Sequence, residues 1–114
     1  MKDDGKNKTY SVRTSKGKYR VTFKITADSA VRMNAKRAFV IGNWSGEGGW
    51  KWDNKQEMNI LKDGSFSLTL TFDEGIYEYK FVVERFDGNF SWESDPYNFN
   101  RGEYDNSILY LNFE

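Results

Sequence analysis

Trp44, Trp50, Trp52, Phe90, Trp92, Tyr97, Phe99 and Tyr104 stand in stretches rich in Gly, Asn and Asp instead of in apolar runs. Rings on such loops, beside amides and carboxylates, suit a carbohydrate. A pyranose lays its apolar C–H face on an indole while its rim of hydroxyls takes hydrogen bonds, and a rigid indole loses little entropy on binding. The competing reading is packing, in which one or two of these rings cap the open end of a core. Either reading serves for a single tryptophan, whereas all four together favour a ligand. Lys80 adds a cation whose parity on its strand is outward, with Glu78 and opposite to Tyr79 and Phe81; taken alone, an outward lysine is ordinarily just solvated.

Other chemistry is excluded by what the chain lacks. Its 114 residues contain no Cys and no His, so a disulfide, a Cys nucleophile, a His-based triad and the usual zinc ligands are all unavailable to it. Glu93 and Asp95 are two residues apart on one loop, a poor arrangement for flanking a glycosidic bond. Asp87, Asn89, Glu93 and Asp95 lack the spacing of a calcium loop and read as an acidic turn. No catalytic residue, metal or cofactor is therefore expected.

The length is that of one domain. Seventeen basic residues balance seventeen acidic ones, but residues 1–37 hold eleven basic and three acidic side chains, net +8, and residues 38–114 hold six and fourteen, net −8. The basic third carries no RNA-binding signature, and Arg20 and Lys24 read as strand exteriors, so no nucleic acid is expected as a partner. No apolar run approaches the roughly 20 residues of a membrane helix, and Met1-Lys2-Asp3-Asp4 lacks the apolar core of a secretory signal. Membrane association is not expected. A Cys-free chain favours the cytoplasm without excluding secretion.

The elements that must position these residues read as strands. Tyr19, Val21, Phe23 and Ile25 alternate with polar residues, as do Phe66, Leu68, Leu70 and Phe72, and period two puts each set on one face. Asp63-Gly64 favours a tight hairpin. Asp73-Glu74-Gly75 and Asp87-Gly88-Asn89 flank a strand from Ile76 to about Arg85, with another from Phe90 to Trp92, so that residues 57–93 look like a meander. Ala38 to Ile41 suits a strand covered on both sides, and Ile108 to Phe113 forms a last strand. Tyr77, Tyr79, Phe81, Val83, Leu109, Leu111 and Phe113 share the inward parity. Ser29 to Arg37 builds no apolar stripe and reads as a loop. The expected fold is an all-β, antiparallel, immunoglobulin-like sandwich of seven or eight strands spanning residues 10–114, preceded by a flexible tail at 1–9.

Tyr77-Glu78-Tyr79-Lys80-Phe81, followed by Trp92-Glu93-Ser94-Asp95-Pro96, resembles the starch-binding domain, the family 20 carbohydrate-binding module, and its glycogen-binding relatives in family 48. Val21-Thr22-Phe23, Phe39-Val40-Ile41-Gly42, Gly48-Gly49-Trp50 and Met58 are similar to further family motifs in the same order, covering about residues 18–112. The resemblance implies non-catalytic binding of an α-1,4-glucan or maltooligosaccharide. Two rings, Trp50 and Trp92, would match the curvature of the glucan helix, with Lys80 donating and Glu93 accepting hydrogen bonds.

The family pattern and this sequence also diverge. Where the family has Asn directly after Asp-Pro, Tyr97 intervenes and Asn98 follows; either Asn98 substitutes through a loop shift, or Tyr97 adds a third ring. The family's second, tyrosine-based site would fall at about Asn34 and at Asp63-Gly64, so that site is expected to be absent. Asn106-Ser107-Ile108-Leu109 resembles family 48, in which the Asn contacts sugar; a core-side or turn-capping role for Asn106 stands equally. Trp44 and Trp52 have no counterpart, and one of them is a candidate to extend the sugar platform. The alternative function is an immunoglobulin-like structural or protein-interaction domain of a larger glucan-metabolising protein, since a sandwich hosts many functions. The domain is expected to be monomeric or part of a larger chain.

Overall fold

Alternation with period two builds most of the molecule. The computed structural model describes residues 10–13 and 18–111; the expected tail at 1–9 and Phe113 lie outside them. In chain order the elements are β1 (Tyr10–Arg13), β2 (Lys18–Ile25), α1 (Ala27–Met33), β3 (Ala35–Gly42), β4 (Gln56–Glu57), β5 (Asn59–Ile60), β6 (Phe66–Asp73), β7 (Gly75–Arg85), β8 (Phe90–Glu93) and β9 (Ser107–Leu111). A single 3-10 turn occupies Trp52–Asn54, and Glu103–Asp105 forms a turn in which Tyr104 and Asp105 are left-handed. One sheet runs β1-β2-β6-β5 and the other β4-β3-β7-β8, with β9 continuing along β7 beside β8. Every pairing is antiparallel. The two sheets form the expected sandwich, with nine strands among the described residues, two of them only two residues long.

Between the sheets lie Tyr19, Val21, Phe23 and Ile25 of β2, Tyr79, Phe81 and Val83 of β7, and Leu109 and Leu111 of β9, all buried. Trp44 packs against this core, its ring meeting Phe72 edge-on at 4.9 Å and lying near Phe23 at 6.2 Å. Its Nε1 donates to Gln56 Oε1. For this tryptophan the packing reading is the one that holds.

Two local expectations are corrected. Residues 27–33 form a helix in place of the expected loop. It lasts seven residues and buries only Ser29 and Ala30, too short for an apolar stripe to show. Its ends are specified by caps instead: Thr26 Oγ1 accepts from Ser29 N at 3.3 Å, and Asn34 takes the left-handed conformation at φ 56°. The meander over 57–93 does not form either. β4 pairs with β3 but β5 pairs with β6, and β6 and β7 belong to different sheets. The chain therefore changes sheet at Met58 and again at Glu74.

Met58 holds the first crossing, 3% exposed and with its N–H donated to Ala38 O at 2.8 Å. Met58→Ala should cost about 2–5 kcal/mol, against within about 0.5 kcal/mol for the exposed neighbour in Ile60→Ala; urea denaturation of both variants compares them. In the β5–β6 turn, hydrogen bonds from the Ser65 hydroxyl and amide hold the Asp63 carboxyl below its ordinary value. Because the folded value is the lower one, this stabilisation is complete above the ordinary carboxylate range and is lost as pH falls through it, from about pH 4 downward. Asp63→Asn should therefore lower stability at pH 6 and leave a smaller further loss at pH 3 than the wild type shows, as read from denaturation midpoints.

Candidate functional site

The outward face of the five-stranded sheet is built in cross-strand rows. Phe39, Val82 and Trp92 stand side by side on β3, β7 and β8, and Ile41 stands beside Lys80. An outward sheet face is ordinarily polar, yet Phe39, Ile41 and Val82 are buried as a second apolar cluster. The segment between β3 and β4 folds back over them, and Trp50 packs on the cluster from above.

That segment is held by its own backbone. Trp50 N and Ser45 N both donate to Gly42 O at 2.9 Å, Lys51 N donates to Ser45 O at 2.8 Å, and Gly42 N donates to the buried Ser45 Oγ at 2.9 Å. Gly49 has φ 81°, and a Cβ there would stand 2.7 Å from Asn43 O, so only glycine lets the chain turn tightly enough to lower Trp50. Trp50 itself is left-handed at φ 58°, a strained conformation for a bulky residue.

A second loop closes the site from the other side. Tyr104, with φ 57° and 84% exposed, projects from the turn between β8 and β9. Ser94 Oγ donates to Asp105 O at 2.6 Å, Arg101 pairs with Asp105 at 3.3 Å, and Gly102 N donates to Asn106 O, which ties the turn down. Asn106 Nδ2 donates to Glu78 Oε1 at 3.1 Å. Trp50, Lys80, Trp92, Tyr104 and Asn106 together line one open cavity of about 370 Å³. It offers two indoles, a phenol, an ammonium donor and a primary amide, a set suited to a ligand with apolar faces and hydroxyl edges.

Of the seven residues that the family pattern offers as sugar contacts, four thus converge: Trp50, Lys80, Trp92 and Asn106. Three do not. Glu93 pairs with the core residue Phe81 while Trp92 pairs with Val82, so strand alternation sends the two side chains to opposite faces, and the Glu93 carboxylate accepts from Ser91 Oγ. Asn98 is fully buried, its Nδ2 donating to Ile108 O at 2.9 Å and to the Tyr79 hydroxyl at 3.3 Å while its Oδ1 accepts from Asn100 N. It shapes the 94–107 segment from inside. Tyr97 shares a hydrogen bond between its hydroxyl and Thr26 Oγ1, which with Ser29 draws its pKa down; it fastens the segment to the start of α1. Tyr104 is one of the surplus rings, but no spacing ties it to the motif. Among the described residues, no group of three or more acidic side chains is placed to hold a metal ion.

A model of the starch binding domain matches residues 18–104. The chain belongs to that family, whose members are non-catalytic binding modules. Similar folds occur in solved structures. Pullulanase type I from Bacillus subtilis complexed with maltose shares 20% identity at a TM-score of 0.61, over 95% of this chain and 14% of that one. The glycoside hydrolase family 15 glucoamylase from Hypocrea jecorina shares 18% at 0.58, over 89% and 16%. Ferric enterobactin esterase from Salmonella typhimurium shares 16% at 0.62, over 90% and 33%. At these identities the likeness is one of fold, and this starch binding domain spans a third or less of each chain. No curated protein sequence matches it.

The glycines of the β3–β4 segment give a direct check on how this starch binding domain sets Trp50. Gly48 is also left-handed at φ 81°, but a Cβ at that position would meet nothing within 4 Å. Gly48→Ala should therefore cost about 1–2 kcal/mol for the backbone conformation alone, and Gly49→Ala clearly more, because Asn43 must also move. Chemical denaturation with near-ultraviolet circular dichroism reads both; equal costs would contradict the close-approach argument.

Proposed function

We propose that the cavity between Trp50 and Trp92 is an α-1,4-glucan site working by stacking and hydrogen bonding, without catalysis. The two indoles receive the apolar faces of glucose units along the curved chain. The Lys80 ammonium donates to sugar hydroxyls. Asn106, whose Nδ2 already donates to Glu78, has its amide oxygen as acceptor, and the Tyr104 hydroxyl serves in either sense. The acceptor role that the family resemblance assigns to Glu93 passes to these two groups.

The reading is carried by one observation: Trp50, Lys80, Trp92, Tyr104 and Asn106 line a single cavity on a chain of the starch binding domain family. Two further features support it. Trp92 is 47% exposed on a strand next to buried Val82, a position that gives away apolar burial unless a ligand completes it. Hydrolysis by the pair Glu93 and Asp95 is disfavoured because Asp95 is fully buried and accepts from the Tyr79 hydroxyl at 2.6 Å and from Tyr97 N at 3.0 Å, so the pair cannot flank a scissile bond.

A few stacked sugars and solvent-exposed hydrogen bonds give dissociation constants of about 1 μM to 1 mM, because ordering costs consume much of the contact energy. Isothermal titration with maltoheptaose should give one site per chain in that range. Trp92→Ala should weaken it at least about tenfold with the unfolding midpoint nearly unchanged, the side chain being half exposed. Lys80→Met should weaken it less, by about three- to tenfold. Wild-type affinity in Trp92→Ala, or retention of a protein partner with no retention on amylose resin, would favour the structural or interaction role instead.

A further inference from the structure

The aromatic surface does not end at the cavity. Trp52, in the 3-10 turn after Trp50, lies against Trp92 with ring centroids 5.9 Å apart and planes inclined at 46°. Its other neighbour is Phe90, two residues before Trp92 on β8, which it meets edge-on at 5.2 Å. Phe90 shares the outward face with Trp92, since their partners on β7 are Glu84 and Val82. The three rings form a continuous row, and each keeps a large part of its surface in solvent: 40% for Trp52 and 47% for both Phe90 and Trp92.

We infer that this row is an additional sugar-binding subsite, in which Trp52 and Phe90 receive glucose units of the same α-glucan chain beyond those held between Trp50 and Trp92. The inference rests on the proposed glucan site and deepens it. Two observations and the entropy of binding support it. Trp92 belongs to both the cavity and the row, so a chain lying on Trp92 is led directly onto Trp52. Trp52 is also held in place: Lys55 Nζ lies 3.9 Å from its ring centroid and donates to its backbone carbonyl at 3.3 Å. Lys55 is itself set against Phe39 at 5.0 Å. The ammonium lies over one face of the indole, yet the residue keeps 40% of its surface in solvent beside Trp92 and Phe90. Finally, a contiguous, pre-positioned aromatic surface loses little entropy when a ligand covers it, and a longer glucan is the ligand already delivered to its edge.

The consequence is a dependence on chain length. Titration of the whole chain with maltotriose and with maltoheptaose, for wild type, Trp52→Ala and Phe90→Ala, separates the outcomes. The expected result is that each variant loses about three- to tenfold in affinity for maltoheptaose, the factor for one aromatic contact, while maltotriose affinity stays within about twofold of wild type. Phe90 lies outside the β3–β4 segment, so Phe90→Ala tests the subsite even if Trp52→Ala disturbs that loop, and unfolding midpoints identify such a disturbance. Equal weakening for both sugars would overturn the inference, reducing Trp52 to a support for Trp92. Unchanged affinity for both would overturn it in favour of another occupant, such as a protein partner. In either case the wild type still binds, so the glucan site stands. If the wild type binds neither sugar, the glucan site itself fails and the subsite with it.

Discussion

The burial of Phe39, Ile41 and Val82 on the outward side of the five-stranded sheet is the constraint from which the candidate site follows. Three apolar side chains on that face must be covered, and the chain covers them with its own β3–β4 segment. The ring that packs on them is Trp50, so part of the lid of this small second core is also one wall of the cavity. The geometry needs a tight turn at Gly49 and a left-handed Trp50, and the backbone bonds converging on Gly42 O hold both. Apolar burial thereby holds in advance a ring whose ordering would otherwise oppose binding.

On the opposite wall the solution is different. Trp92 is placed by strand register, and Tyr104 and Asn106 by a turn tied through Ser94, Arg101 and Glu78. Buried Asn98 and Asp95 stabilise that turn from beneath. The sandwich core thus sets the strands, and polar networks at its end set the loops. A sandwich core of this kind does not by itself decide what its loops do.

Period two makes the sandwich legible: the inward residues of β2, β7 and β9 follow directly from alternation. Ala38 to Ile41 is likewise covered on both sides, Val40 facing the main core and Ile41 the second. The helix at 27–33 is hidden because seven residues with two buried positions carry no stripe, although Thr26 and Asn34 mark its ends. The changes of sheet at Met58 and Glu74 are hidden because a turn residue does not say which sheet the next strand joins. At the site, Trp50, Lys80 and Trp92 can be read from surplus aromaticity, parity and family motif. Glu93 can be set apart from Trp92 by the same alternation, which puts neighbours on a strand on opposite faces. Asn98 and Tyr97 cannot, since their direction depends on an irregular segment fixed by Asp95, Tyr79 and Thr26. Trp44 and Trp52 are alike in sequence and differ in the fold: one completes the core, the other joins the exposed row.

The four tryptophans provide four separate reporters. In proton–nitrogen NMR spectra, added maltoheptaose should shift the indole N–H resonances of Trp50 and Trp92, while that of Trp44, packed on the core and bonded to Gln56, should hold still. Movement of Trp44 with Trp50 and Trp92 unaffected, or no movement of any indole at millimolar sugar, would contradict the account.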